Sequence, residues 1–126
     1  MKKTIALFWV FFPLAQAAAD CGDAQTQSEM NQCFYAEYGK ADNALNKTYQ
    51  KALKLTSGEQ RNLLQSAQKR WISYRDADCK FQTYASRDGS VNPMNTAICL
   101  QTKTEQRTKE LEDMLSCPEG DVSCPL

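Results

Sequence analysis

The sequence predicts an all-α fold, an antiparallel helical hairpin plus a third helix, stapled by disulfides. Three observations carry this prediction. Apolar residues recur at alternating spacings of three and four over three long segments, which keeps one helix face toward a partner. No segment shows the two-residue alternation of a half-buried strand. Six cysteines and no histidine occur in 126 residues, and an even cysteine count in a small exported chain reads as a disulfide framework.

Export is read from the first nineteen residues. Lys2 and Lys3 form a positive start, and residues 4–14, TIALFWVFFPL, are an apolar run too short to span a bilayer. Ala15-Gln16-Ala17 and Ala17-Ala18-Ala19 both fit the small-residue cleavage pattern of a secretory signal peptide, assigned here to residues 1–19. The expected location is periplasmic or secreted, with no membrane association after cleavage. Cys21 follows closely, but Asp20 ahead of it does not suit lipid attachment. The mature part is one small domain over residues 20–116 and a tail over 117–126. Without Lys2 and Lys3 it holds 13 basic and 15 acidic residues. That argues against a nucleic-acid surface, which needs a basic excess to displace counterions.

The first helix opens on Thr26-Gln27-Ser28-Glu29, a capping box. Its stripe runs through Phe34, Tyr38, Ala41, Leu45, Thr48, Ala52 and Leu55, and Ser57-Gly58 ends it. Ser57-Gly58-Glu59-Gln60 reads as a second capping box. The second stripe is Leu64, Ala67, Trp71, Tyr74, Asp78, Phe81 and Ala85. So short a junction predicts an antiparallel hairpin, with one long helix bent at Gly58 as the alternative. Residues 86–93, SRDGSVNP, are a loop, with Asn92 as N-cap and Pro93 as first helical residue. The third helix runs to about Ser116 on a thinner stripe of Leu100, Thr104, Arg107, Leu111 and Met114, and is expected at the side of the hairpin. The tail, with two prolines and a glycine, is not helical.

The densest chemistry lies in WISYRDADCKF, residues 71–81. Helical spacing puts Trp71, Tyr74, Asp78 and Phe81 on one face, and these aromatics are expected in the core with Phe34 and Leu45. Trp71 and Tyr74 are expected to pack on Leu45 and Tyr38. Asp78 is a carboxylate on an apolar stripe and needs a partner. Structural ion pairs of the Asp78–Arg107 or Asp42–Arg75 type are expected to clamp the helices. A catalytic role is not supported, because a second carboxylate at fixed spacing and any histidine base are missing. Ser–His–Asp and Cys–His chemistry are excluded by composition. No CxxC pair and no histidine argue against a metal site, and no cofactor motif is present. Six cysteines allow fifteen pairings. A Cys79–Cys99 bridge would tie helix two to helix three and enclose the loop; a Cys117–Cys124 bridge would close the tail.

These residues resemble the LprI-like family of small exported bacterial proteins. The resemblance lies in Cys21 and Cys33; in Ala41, Asp42, Leu45, Asn46 and Tyr49; in Gln68, Trp71, Tyr74, Arg75, Asp76 and Cys79; in Gly89 and Ser90; and in Cys99, Arg107 and Leu111. It covers about residues 21–112. It implies an α-helical, disulfide-stapled domain outside the cytoplasm, with Cys21–Cys33 and Cys79–Cys99 paired and Cys117–Cys124 left as the third bridge. The family takes its name from a lysozyme inhibitor, which implies a protein partner of the lysozyme or glycosidase type and no enzymatic activity. Such a blocker needs a rigid projection facing a cleft with two carboxylates. Arg87, Asp88, Ser90 and Asn92 are the expected partner-binding residues, with Arg87 bridging to a catalytic carboxylate. The same segment also reads as a plain solvated connection. Two other readings stand beside inhibition: an interaction or immunity-type module with an unrelated target, and a small peptidoglycan-modifying factor.

Overall fold

The computed structural model describes residues 21–118 and 120–126, so the signal-peptide reading lies outside the described residues. Helix α1 spans Gln27–Lys54, α2 Gly58–Gln82 and α3 Asn92–Leu115. Short 3-10 turns stand at Cys21–Asp23 and Tyr84–Ser86, and no strand occurs among the described residues. The fold is all-α and disulfide-stapled.

Thr26 caps α1 as expected, its hydroxyl accepting the Glu29 N–H at 3.1 Å. The returning arm is displaced by one residue, because the Glu29 carboxylate accepts from the Gln25 N–H at 2.8 Å. The helix stops at Lys54, and the Thr56 hydroxyl closes the end on the Leu53 carbonyl at 2.8 Å. Gly58 then adopts φ +56°, a left-handed conformation that suits glycine, so the chain reverses and no bent continuous helix forms. The second capping box is not made. Ser57 is the N-cap but forms no side-chain cap bond, and the Gln60 amide instead donates to the Pro125 carbonyl at 2.6 Å.

Directions follow from the contacts. Asn31 near the start of α1 donates to the Ser90 carbonyl ahead of α3, and Gln27 reaches Met94, so α1 and α3 run parallel. Cys79 joins Cys99, Arg75 meets Thr104 and Gln68 meets Arg107, so α2 runs antiparallel to α3. The order is up-down-up, with α2 reversed against α1 as the hairpin reading requires.

The packing, however, differs from the expected arrangement. The backbones of α1 and α3 approach closely along their length, whereas those of α1 and α2 seldom do. The α1 stripe Ala41, Leu45, Thr48 and Ala52 is buried, as are Ala97, Thr104 and Leu111 on α3. These positions recur every three or four residues on α1 and every seven on α3. Their small side chains let two parallel helices seat tightly. The third helix is therefore central, not lateral.

The α2 expectation fails in its phase. Phe81 is 79% exposed and Tyr74 58% exposed, so neither is core, while Phe34 and Trp71 are half-buried and Leu45 is fully buried. The buried α2 residues are Gln68, Arg75 and Cys79. Cys79 lies one step off the apolar stripe, and its bond to Cys99 together with Arg75 turns that edge of the helix inward. Tyr74 and Phe81 of the aromatic stripe consequently face water, while Trp71 stays half-buried against Arg75.

All three disulfides join the partners the family resemblance implied. Cys21–Cys33, Cys79–Cys99 and Cys117–Cys124 have Cα separations of 5.6, 5.7 and 5.8 Å. The first fastens the N-terminal turn to α1, the second crosslinks α2 and α3, and the third closes the tail. Because α2 buries so little apolar surface, the second bridge carries much of its attachment. Replacing Cys79 and Cys99 together by alanine is expected to lower the unfolding free energy by about 3 kcal/mol. A urea titration of both oxidised proteins checks this; coincident midpoints would show that packing alone holds α2.

Candidate functional site

Two clusters carry the polar chemistry, one inside the helix junction and one at the α2–α3 end. The inner cluster is centred on Arg75, which is only 7% exposed. Its guanidinium lies between the Tyr38 ring, 5.5 Å away on α1, and the Trp71 ring, 5.3 Å away on α2. Its Nε donates to Asp76 at 2.9 Å, while Nη1 donates to the Thr104 hydroxyl at 3.4 Å and stands 3.7 Å from Asp42. One side chain thus touches all three helices. Burial raises the Tyr38 phenol above its ordinary pKa, with Arg75 opposing and Asp42 and Asp76 reinforcing the rise.

The Asp42–Arg75 pair is present as anticipated. The Asp78–Arg107 pair is not. Asp78 binds Lys103 at 2.6 Å and accepts from Gln82 at 2.7 Å. Arg107 instead donates to Gln68 at 3.1 Å and pairs with Glu110 at 3.1 Å. The rotation of α2 explains this exchange. It carries Gln68 to the α3 face opposite Arg107 and leaves Asp78 at the margin, within reach of Lys103. Lys103 also stands 5.0 Å from the Tyr74 ring. The hydrogen bond from Lys103, helped by that from Gln82, lowers the Asp78 carboxyl below its ordinary pKa, against a desolvation that raises it. The same bond to Asp78 raises the Lys103 ammonium.

As chemistry, the inner cluster is a brace. Arg75 spends its donors within the protein, on Asp76, Asp42 and the Thr104 hydroxyl. An open groove of about 500 Å³ lies between the end of α2 and α3, lined by Gln82, Ser86, Asn95, Ile98, Thr102 and Lys103 among others. Its lysine is the one already held by Asp78. Among the described residues no group of histidine, cysteine, aspartate and glutamate side chains could hold a metal ion.

The second cluster is the loop. Thr83, Ser86, Asn92 and Asn95 knit its base. The Ser86 hydroxyl donates to the Thr83 carbonyl at 3.1 Å and accepts from the Asn92 and Asn95 amides, each at 3.2 Å. The Asn92 amide also donates to the Thr83 carbonyl at 3.2 Å. Val91, not Asn92, is the N-cap of α3, because the Asn92 amide turns back into the loop. Asn92 is therefore an internal tie, whereas Arg87, Asp88 and Ser90 are exposed. Gly89 forms the tight point, its N–H donating to the Ser86 carbonyl at 2.8 Å. A Cβ there would stand 3.3 Å from that same oxygen. Arg87 lies over the Tyr84 ring at 4.0 Å and stands 3.7 Å from Asp88.

Sequence reasoning named Arg75 as a clamp but did not find Thr104 or Trp71 as its partners, nor Lys103 as the partner of Asp78. Tyr84 as the platform for Arg87 was also missed, although an aromatic three residues before an arginine at a helix end is a usable signal.

The architecture defines a class: a small, disulfide-braced helical scaffold that carries a fastened loop between α2 and α3. The chain belongs to the LprI family, for the model described as "Lysozyme inhibitor LprI" matches residues 17–111. The chain is also 34% identical over 118 residues to an uncharacterized protein of Rhizobium meliloti (strain 1021), a match covering 83% of this chain and 85% of that protein. No solved structure matches. The family is one of inhibitors rather than enzymes. Its disulfides fit an oxidising compartment outside the cytoplasm, and no helix among the described residues is long and apolar enough to cross a membrane.

Two outcomes follow for the braces. Arg75→Ala is expected to destabilise the fold by about 3 kcal/mol, since it empties the space between two rings and unpairs two carboxylates. Chemical denaturation measures this, and a loss under about 1 kcal/mol would mean the rings close on each other without it. The Asp78–Lys103 pair gives a pH signature. With the carboxyl lowered, its contribution is complete above the ordinary carboxylate range, about pH 4, and fades as pH falls through the lower folded value. With the ammonium raised, the contribution holds up to about pH 10 and fades above. The melting difference between the natural chain and Asp78→Asn is therefore expected to be constant near neutrality and to narrow below about pH 4. A difference independent of pH would assign the aspartate a packing role only.

Proposed function

We propose that this protein is an exported inhibitor that occupies the cleft of a lysozyme-type glycosidase with its residue 86–91 loop. Such a cleft carries two carboxylates flanking the scissile bond. A blocker needs a cation to meet them and a shape that does not relax on docking, because loop ordering subtracts from affinity.

The observation that carries the reading is the state of the loop. It is anchored at its base by Cys79–Cys99, tied to α1 by the Asn31 bond to the Ser90 carbonyl, and knitted inside through Ser86 and Asn92. Arg87, Asp88 and Ser90 are left outward. Arg87 is the candidate anchor. Its pairing with Asp88 is a solvent-exposed one, worth about 0–1 kcal/mol. Exchange for a desolvated carboxylate in a cleft is therefore favourable. The Arg87 side chain is folded back on Tyr84, lying over its ring at 4.0 Å and donating to its carbonyl at 3.1 Å, contacts it would exchange for the carboxylate. Ser90 supplies a hydroxyl, and Asn92 acts indirectly by holding the loop. Membership of an inhibitor family supports the same reading.

Replacing Arg87 and Ser90 together by alanine is expected to weaken inhibition of a susceptible lysozyme at least about tenfold, with circular dichroism and melting unchanged. A turbidity assay on bacterial cell walls against several lysozyme types reads the effect. Equal inhibition by both proteins removes the loop from the mechanism.

A further inference from the structure

We propose that the outward face of α2 is a self-association surface, on which α2 of a second copy lies antiparallel. The turning of α2 leaves a largely apolar stripe exposed, interrupted by Arg70 and touched from inside at the Tyr74 ring, 5.0 Å from Lys103. Leu63 is 64%, Tyr74 58% and Phe81 79% exposed, and Ala67, Arg70 and Ala77 between them are exposed as well. Their spacings are four, three, four, three and four, the pattern of a coiled-coil seam. The face ends at the tail on one side, where Gln60 holds Pro125, and at the 3-10 turn on the other.

The order of residues along this seam indicates a second copy. An antiparallel pair with its two-fold axis at the level of residue 72 sets Leu63 against Phe81, Ala67 against Ala77 and Arg70 against Tyr74. Each of these combinations then occurs twice. Large meets large at the ends, and small meets small in the layers next to the centre. At the centre a guanidinium meets an aromatic ring, a favourable cation–π contact. Parallel pairing would instead oppose Arg70 to Arg70, which like-charge repulsion disfavours. An isologous contact needs this kind of self-complementary order.

The size is sufficient for a weak dimer. A large aromatic presents about 150–250 Å². The exposed parts of Tyr74 and Phe81, with Leu63 and the alanines, therefore reach the order of 400 Å², within the range of roughly 300–600 Å² for the largest apolar patch on a monomer. With the polar rim, both sides approach the roughly 1,200 Å² that marks the lower limit of specific interfaces. The residue 86–91 loops lie beyond the ends of the seam, so the pairing leaves them free and pointing apart.

Sedimentation of the oxidised mature chain from about 1 μM to several hundred μM is the test. A reversible monomer–dimer equilibrium is expected. Leu63→Glu should weaken it at least about tenfold without altering the monomer's melting, since the side chain is solvent-facing. Combining Leu63→Glu with Phe81→Arg should restore dimerisation to within about threefold of the natural chain, because the register puts the new opposite charges together. A chain that stays monomeric throughout overturns the proposal and leaves the face to a different protein or to solvent. A dimer indifferent to Leu63→Glu places the contact elsewhere. A weakened single variant without rescue in the double rules out the antiparallel register.

Discussion

A guanidinium enclosed by three helices must be satisfied on every edge, and the rest of this structure is arranged around that requirement. Arg75 has an aromatic ring on each side, a carboxylate from its own helix, a carboxylate from α1 and a hydroxyl from α3. Any rotation of α2 that took Arg75 to water would also pull Cys79 away from Cys99 and Gln68 from Arg107. Polar satisfaction and covalent geometry thus select the same rotational setting. Apolar burial on α2 is given up to reach it, which is why three of its largest apolar side chains stand in solvent.

The α1–α3 pair supplies the complementary part of the design. Its seam is narrow because alanines and threonines alternate with Leu45 and Leu111. Two helices seated this closely form a stiff double rod, and α2 is hung on it by the Arg75 cluster and one disulfide. Stiffness at the rod's N-terminal end passes directly to the loop, since Asn31 of α1 holds the Ser90 carbonyl and Asn95 of α3 holds Ser86. The scaffold and the candidate binding loop are therefore a single mechanical unit. That is the property an inhibitor of a preformed cleft needs. The residues quoted for the family resemblance serve mainly this interior, among them Asp42, Gln68, Trp71, Arg75, Asp76 and Arg107. Family membership accordingly speaks to the scaffold more directly than to the choice of target.

Much of this was legible in the residues. Heptad spacing identified three helices, and their ends came within a few residues of the observed ones. Thr26 was recognisable as a cap, because a hydroxyl three residues before a glutamate satisfies free amides whatever lies beyond. The Asp42–Arg75 pair was accessible too. The α2 core was not. Leu64 and Trp71 belong to both candidate stripes, so periodicity admits two faces less than a quarter turn apart. The apolar count favoured the one that the fold turns outward. Asn92 was misjudged as a cap for a similar reason: its amide can serve the helix start or the loop behind it, and only the position of Thr83 and Ser86 chooses.

The sequence by itself determined the elements: helical periods, breaks at Gly58 and before Pro93, and a chain too small and too sulfur-rich to rest on apolar burial alone. Those features act within a few residues of chain, where backbone geometry and local hydrogen bonds decide. Tertiary structure alone decided which stripe meets which neighbour, that α3 lies at the centre, and that Asp78 belongs to Lys103. These depend on distances between residues far apart in sequence. They are set by the arrangement that buries Arg75 among its ring, carboxylate and hydroxyl partners while bringing Cys79 to Cys99.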